Sequence, residues 1–234
     1  MKVLLLRLEA PLMAFGGVAI DNIGGTDQLP SASLLTGLLG NALGYKRSEG
    51  SRLQALQARL RYVVRADRPG QIMQDFQTAQ LAKDDKAWTT RGVPTGRDGG
   101  AKTYESPHIR YRQYHADASV MAAIHLEPEN DPPTPSECAE ALNTPARPLF
   151  IGRKPCLPSE PLLLGLVEAD SLIEALKQVP LSEAHESSKV WLYKAGDHSD
   201  SGDLIRLSGR RDWANDVHQG TEYWQRSLWE ISSD

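Results

Sequence analysis

Residues 81–110 constrain the fold of this chain more than any other segment. The run LAKDDKAWTTRGVPTGRDGGAKTYESPHIR holds four glycines, two prolines and six Lys or Arg, and it shows little apolar periodicity. A compact domain rarely encloses so long a stretch, because its backbone groups would lack partners and no apolar face would offset the entropy of ordering it. The segment is expected to project from the body as a long β-hairpin or loop, and segments of that kind are usually functional. Its flanks suit such a ribbon. RYVVRAD and QIMQDFQTA before it read as paired strands from their β-branched and aromatic content. DASVMAAIHLEP after it is apolar on both faces, as a central strand would be.

Around this segment the pattern switches between periods of two and 3.6. KVLLLRL reads as a buried strand that ends at the turn signal Ala10-Pro11. The following PLMAFGGVAIDNIGGTDQLP, with Gly16, Gly17, Gly24 and Gly25, reads as an irregular loop. Ser31 or Ser33 then caps a helix over LLTGLLGNALGY, where Leu34, Leu35, Leu38, Leu39 and Leu43 recur at helical spacing. Gly37, Gly40 and Gly44 share one face of it; they serve either close packing on the sheet or the close approach of a phosphate chain or partner to bare backbone. SRLQALQARL adds a second helical piece, and PSECAEALN has a Pro-Ser helix start.

Strand, helix, strand, strand, strand, helix is the order of an α+β, ferredoxin-like domain with two helices over one face of an antiparallel sheet. The 234 residues, 40% hydrophobic, suffice for one large domain or two small ones. A boundary near residues 144–148 divides the chain into domain 1–145, with the thumb at about 81–110, and domain 146–234. The second is expected to be small and mainly β, with the strand-like PLLLGLVEA, the helix DSLIEALKQV and strands at WLYKAG, DLIRLSG and YWQRSLWEIS. The start MKVLLLRLEA has only a short apolar run broken by Arg7 and Glu9, so no signal peptide or membrane span is expected, and the location is expected to be cytoplasmic.

The net charge of −4 hides an asymmetry. Residues 46–112 carry fourteen Lys or Arg against seven acids, whereas residues from 116 onward carry ten against twenty. An acidic pI near 5.9 therefore does not exclude an anionic partner for the middle of the chain. Cys138 and Cys156 stand apart, with no CxxC pair, so reduced structural thiols are expected rather than a disulfide or a zinc site. No phosphate-loop, zinc-protease, hydrolase-elbow or dinucleotide motif is present, and no cofactor is expected. Lys102, Tyr104, His108 and Tyr111 cluster beside the basic segment. Such residues can cut RNA without metal by general acid–base chemistry, or bind it by stacking and phosphate contact; the second use is the commoner.

Five blocks in order resemble one known family. They are VLLLRLEAPLMAFG; LPSASLLTGLLGNALGYKR with SRLQAL after it; DFQTAQ; KTYESPHIRYRQYHADASV; and RPLFIGRKPCLPSEPLLLG, which together cover most of residues 1–168. The family is that of the CasD-type RAMP subunits of type I-E CRISPR Cascade. The resemblance implies a ferredoxin-like, RRM-like fold with a β-hairpin thumb and a small C-terminal domain. It implies a non-catalytic crRNA-binding subunit that caps the 5′ handle of the guide RNA. Its partners would be CasC-type backbone subunits and the CasA-type large subunit, with target DNA met indirectly through the complex during antiviral defense. Carried over by position, Pro11, Met13 and Ala14 of the first loop and Ser33 and Gly37 of the glycine-rich helix would lie near the handle. Lys102, Glu105, Arg112 and Tyr114 match the block that closes the thumb, with Lys102 and Arg112 as phosphate partners; Tyr104, His108 and Arg110 of the same block are further RNA-binding candidates, and Arg153 matches a basic family position. The sequence departs from the family at 107–110, one residue longer, and at Tyr104, often His. The alternative is a metal-independent endoribonuclease that processes CRISPR repeat RNA, as type I-C relatives do.

Overall fold

The computed structural model describes residues 1–17, 19–80, 107–181, 189–197 and 203–230. Most of the expected thumb, including Lys102 and Tyr104, therefore lies outside the described residues. What is described is a mixed α+β protein, mostly sheet with few helices. Among the described residues no helix is long and apolar enough to cross a membrane.

The sheet is organised on β6 (His108–Leu126), whose 19 residues make it the longest strand described. Its second half pairs antiparallel with β1 (Lys2–Met13) on one side and β4 (Leu60–Arg68) on the other, through pairs such as Leu8↔Val120 and Val64↔Ala122. β7 (Leu163–Glu168) adds outside β1, and β8 (Lys189–Gly196), β12 (Glu222–Glu230) and β9 (Asp203–Leu207) follow outside β4. Strands on both sides of the expected 145/146 boundary thus share one sheet. β1 does not end at Ala10-Pro11. It continues because Pro11, which has no N–H to give, falls between the pairs Ala10↔Ala118 and Leu12↔Ala116, opposite the irregularity at Asp117 with its φ of 55°.

RYVVRAD and QIMQDFQTA do not pair with each other. β5 (Gln71–Ala79) follows β4 end to end along the same side of β6, from Gln71↔Ala116 to Ala79↔His108. The turn between them needs Gly70: its φ is 69°, and a Cβ there would stand 2.4 Å from the Ala116 carbonyl oxygen. The expected loop after β1 holds two short strands, β2 (Ala19–Ile20) and β3 (Ile23–Gly24), and β3 lies parallel to β6 at Tyr111 and Arg112.

Alternation sorts the strands onto two cores. Leu4, Leu6 and Leu8 of β1, with Val64, Val120, Ala122 and Ile124, pack under α1 (Ala32–Ala42), α2 (Gly50–Arg59) and α3 (Pro135–Asn143). Val3, Leu5, Val63, Met121 and Ala123 meet α4 (Leu172–Lys177) on the opposite face. Ser31 caps α1, its hydroxyl accepting from the Leu34 N–H at 3.2 Å, and α1 stops before Gly44 at φ 79°. Thr134 and Glu137 form a capping box on α3, whose hydrogen bonds hold the Glu137 carboxyl below its ordinary range.

Cys138 and Cys156 are buried and free, and burial pushes the Cys138 thiol up to about 12. Several of the arginines counted in the basic stretch are structural. Arg65 is fully buried, clasps Asp67 at 2.6 and 2.8 Å, and donates to the Leu176 and Val179 carbonyls at the end of α4. Arg59 donates to the carbonyls of Pro128, Asp131 and Pro133, and Arg68 to Asp117.

Candidate nucleic-acid interface

A groove of about 680 Å³ opens along one side of α1. Ser33, Leu34 and Gly37 of the helix form one wall, and Tyr45, Lys46 and Arg47 of the connection to α2 extend it. The segment around Phe150 and Gly152 and the hairpin of β10 (Arg210–Asp212) and β11 (Val217–Gln219) complete the enclosure. Lys46, Arg47, Arg147, Arg153 and Arg211 all line it, and among the described residues none that lines it is acidic. Cations gathered on an apolar concavity suit a polyanion with stackable rings.

Local chemistry explains how each wall is held. Gly40 lets α2 approach, since a Cβ there would meet Leu53 Cδ2 at 2.6 Å; the close packing is helix on helix, not helix on sheet. Gly152, at φ 86°, lets the turn that holds it lie against the residue after β1, where a Cβ would stand 1.7 Å from the Ala14 carbonyl oxygen. The 210–219 hairpin is anchored on α2 by Gln57, which is buried. Its side-chain amide donates to the Arg211 carbonyl at 2.9 Å, and its oxygen accepts from the Arg211 N–H at 3.1 Å and the Trp213 ring N–H at 3.2 Å.

The arginines differ in what they hold. Arg147 donates to Asn41 Oδ1 at 2.7 Å and to the Gly44 and Tyr45 carbonyls, closing the C-terminal end of α1. Arg153 lies over the Tyr114 ring, 4.7 Å from its centroid, and donates to the carbonyls of Gln113, Gly24 and Gly25. Among the described residues both arginines are bonded to neutral acceptors, and both line the groove. Arg47 and Arg211 instead share the carboxylate of Asp216.

Of the residues singled out by position, Ala14, Ser33, Gly37 and Arg153 line this groove together. Arg112 stands next to it: its Nη1 lies 3.7 Å, and the Arg153 Nη2 3.3 Å, from where a Gly24 Cβ would be. The Met13 and Tyr114 side chains are buried in the core, and the Arg153 guanidinium stacks on the Tyr114 ring. Pro11 is exposed and is not part of the groove wall. His108 and Arg110 are exposed farther out on β6. His108 and Tyr111 are three residues apart on one strand and so face opposite sides, which separates two members of the expected acid–base cluster. Among the described residues no group of His, Cys, Asp and Glu is arranged to hold a metal. The residues not foreseen were Arg147, Gly152, Arg211 and Trp213. Gly-Arg after Ile151 was the only local signal for any of them.

A family described as CRISPR-associated protein (Cas_Cas5) matches residues 3–222. The CRISPR system Cascade subunit CasD of Escherichia coli (strain K12) is 32% identical over 181 residues, 74% of this chain and 75% of that one. A chain of a CRISPR RNA-guided surveillance complex superposes with a TM-score of 0.73 at 26% identity, covering 98% of this chain and 90% of that chain. A structure titled as a crystal structure of a Cas protein shares the fold, with a TM-score of 0.61 at 24% identity over 98% and 94% of the two chains. The chain belongs to the Cas5 family of CRISPR-associated proteins and is of the CasD type.

Proposed function

We propose that the protein is a non-catalytic crRNA-binding subunit of Cascade that caps the 5′ handle of the guide RNA. The observation that carries this reading is the groove beside Gly37, where five Lys or Arg converge and, among the described residues, the one carboxylate bonded to their side chains is that of Asp216, shared by Arg47 and Arg211. The handle backbone follows these cations, and bare backbone at Gly37 admits it closely. The ferredoxin-like unit is β1, α1, β4, β6, α3 and β7, whose strands lie in the order β7–β1–β6–β4, each antiparallel to its neighbour.

β5 and the first half of β6 form the base of the thumb. One face of this ribbon carries Ile72, Phe76, Ile109 and Tyr111, with the Phe76 and Tyr111 rings 5.4 Å apart. The other carries Arg110 and Arg112. The apolar face packs against the adjacent CasC-type backbone subunit, and the cationic face continues the RNA path towards the groove, with the CasA-type subunit at the handle end. The protein works in the cytoplasm and meets target DNA through the assembled complex.

The test is binding of repeat-derived RNA. With three or four phosphate contacts, log affinity falls against log salt with a slope of roughly −2 to −3. The RNA stays uncut over hours with or without EDTA. Cleavage at one defined site that survives EDTA and disappears in His108→Ala overturns the reading in favour of a metal-independent endoribonuclease.

A further inference from the structure

Two arginines of the groove, Arg47 and Arg211, share one carboxylate, and Arg211 donates to the Asp216 carbonyl as well, at 3.3 Å. Asp216, at the turn of the 210–219 hairpin with a φ of 60°, accepts from Arg47 Nε at 2.9 Å, from Arg47 Nη2, and from Arg211 Nη2 at 3.0 Å. Two guanidinium groups converging on one anion is the arrangement with which proteins hold a phosphate. Here the anion is the protein's own. We propose that Arg47 and Arg211 form a phosphate subsite for the RNA backbone, filled by Asp216 in the RNA-free protein and vacated by it when RNA binds. This rests on the RNA-binding reading of the groove and adds which phosphate contact is conditional.

Three observations support exchange over a fixed structural bridge. The pair is open to water, with the Arg47 side chain 74% and the Asp216 side chain 41% exposed, and exposed ion pairs contribute little to stability. The hairpin is held elsewhere: Gln57 fixes Arg211 through its backbone, Gln54 accepts from the Trp213 N–H at 3.1 Å, and Asp212 accepts from the N–H groups of Ala214 and Asn215. Asp216 can therefore swing away without undocking the wall. Arg147 and Arg153, by contrast, are committed to carbonyls that an incoming phosphate does not replace. Asp216 is also a genuine anion near neutral pH, since the Arg47 hydrogen bond, and behind it the Arg211 charge, hold its carboxyl below the ordinary range.

The experiment is fluorescence anisotropy with labelled repeat-derived RNA between about 50 and 200 mM salt, where phosphate contacts register most strongly. Asp216→Asn is expected to bind about threefold to tenfold tighter at the low-salt end, with a slope steeper by roughly 0.7, the increment for one more phosphate neutralised on a single strand. Arg47→Ala is expected to weaken binding, and in that background Asp216→Asn should lose most of its gain. Asp170→Asn, beside α4, controls for net charge and should change nothing. Circular dichroism of Asp216→Asn and of Asp216→Ala reports that the hairpin stays docked. The subsite is ruled out if wild type binds while Asp216→Asn binds no tighter, if Asp170→Asn gains equally, or if the gain persists undiminished without Arg47. If neither wild type nor any variant binds RNA, the RNA-binding reading itself falls and takes the subsite with it.

Discussion

The two halves of β6 belong to one strand but have different neighbours. From Ser119 to Leu126 it runs between β1 and β4 with almost every side chain buried; from His108 to Ala116 it runs beside β5, whose residues are nearly all exposed. The inner half is laddered antiparallel on both edges; the outer half is laddered along its length only by β5, with β3 parallel to it at Tyr111 and Arg112 and the end of β1 at His115 and Ala116. The side-chain complement of the partner strand differs too. β4 supplies Val63, Val64 and Ala66 to two cores, whereas β5 supplies Gln71, Gln74, Asp75 and Gln77, with Ile72 and Phe76 left in solvent. Burial makes the inner half the stable frame, and its absence leaves the outer half with exposed apolar side chains at Ile72 and Phe76.

That contrast can be broken most severely at Arg65. Arg65→Ala leaves Asp67 buried without its partner and frees two carbonyls of α4, and should destabilise the protein by about 3–5 kcal/mol in chemical denaturation. Replacing the pair together, Arg65→Met with Asp67→Leu, should recover most of the loss. Next comes the hinge between the halves. Gly70→Ala should cost about 1–3 kcal/mol, because its backbone is left-handed and the new Cβ meets the Ala116 carbonyl. A cost near zero would mean that the turn rearranges freely and that the two halves are not rigidly joined.

Phe76→Ala, on the outer half, should change stability by less than about 1 kcal/mol, the range of an exposed cross-strand pair. Its loss should appear instead in assembly, as weaker co-purification with the backbone subunit. Equal losses of stability from Phe76→Ala and from an inner-half truncation would remove the distinction. The mildest probe is thiol labelling. Cys138, raised to about 12 and packed under the inner half, should react with a disulfide reagent only as the protein unfolds, while a thiol placed by Thr78→Cys reacts at once.

Much of this was legible in residue pattern. The leucine spacing of α1, the Pro-Ser start of α3 and the apolar centre of β6 placed those elements, whereas Arg153 came only from the family resemblance of the GRKPC segment. The pairing of β4 with β5 was misjudged because two adjacent strand-like segments separated by Pro69-Gly70 look like a hairpin. End-to-end alignment on a third strand gives the same local pattern. The count of basic residues over 46–112 also misled, since it cannot tell Arg65, buried against α4, from Arg47, open to the groove.

The sequence by itself determined most of the longer strands and helices, the Pro-Ser start of α3, and which family the chain resembles. These follow from periodicity, capping chemistry and ordered motifs, all of which act over a few residues. Only the tertiary structure decided that Gly37, Arg47, Arg147, Arg153 and Arg211 share one groove, because that depends on α1, the 147–153 segment and the 210–219 hairpin meeting in space. It also decided that Asp216 stands between two of those arginines. Charge interactions act over ångströms of distance irrespective of chain separation, and the distance between Arg47 and Asp216 is set by the docking of the hairpin on Gln57, more than 150 residues away along the chain.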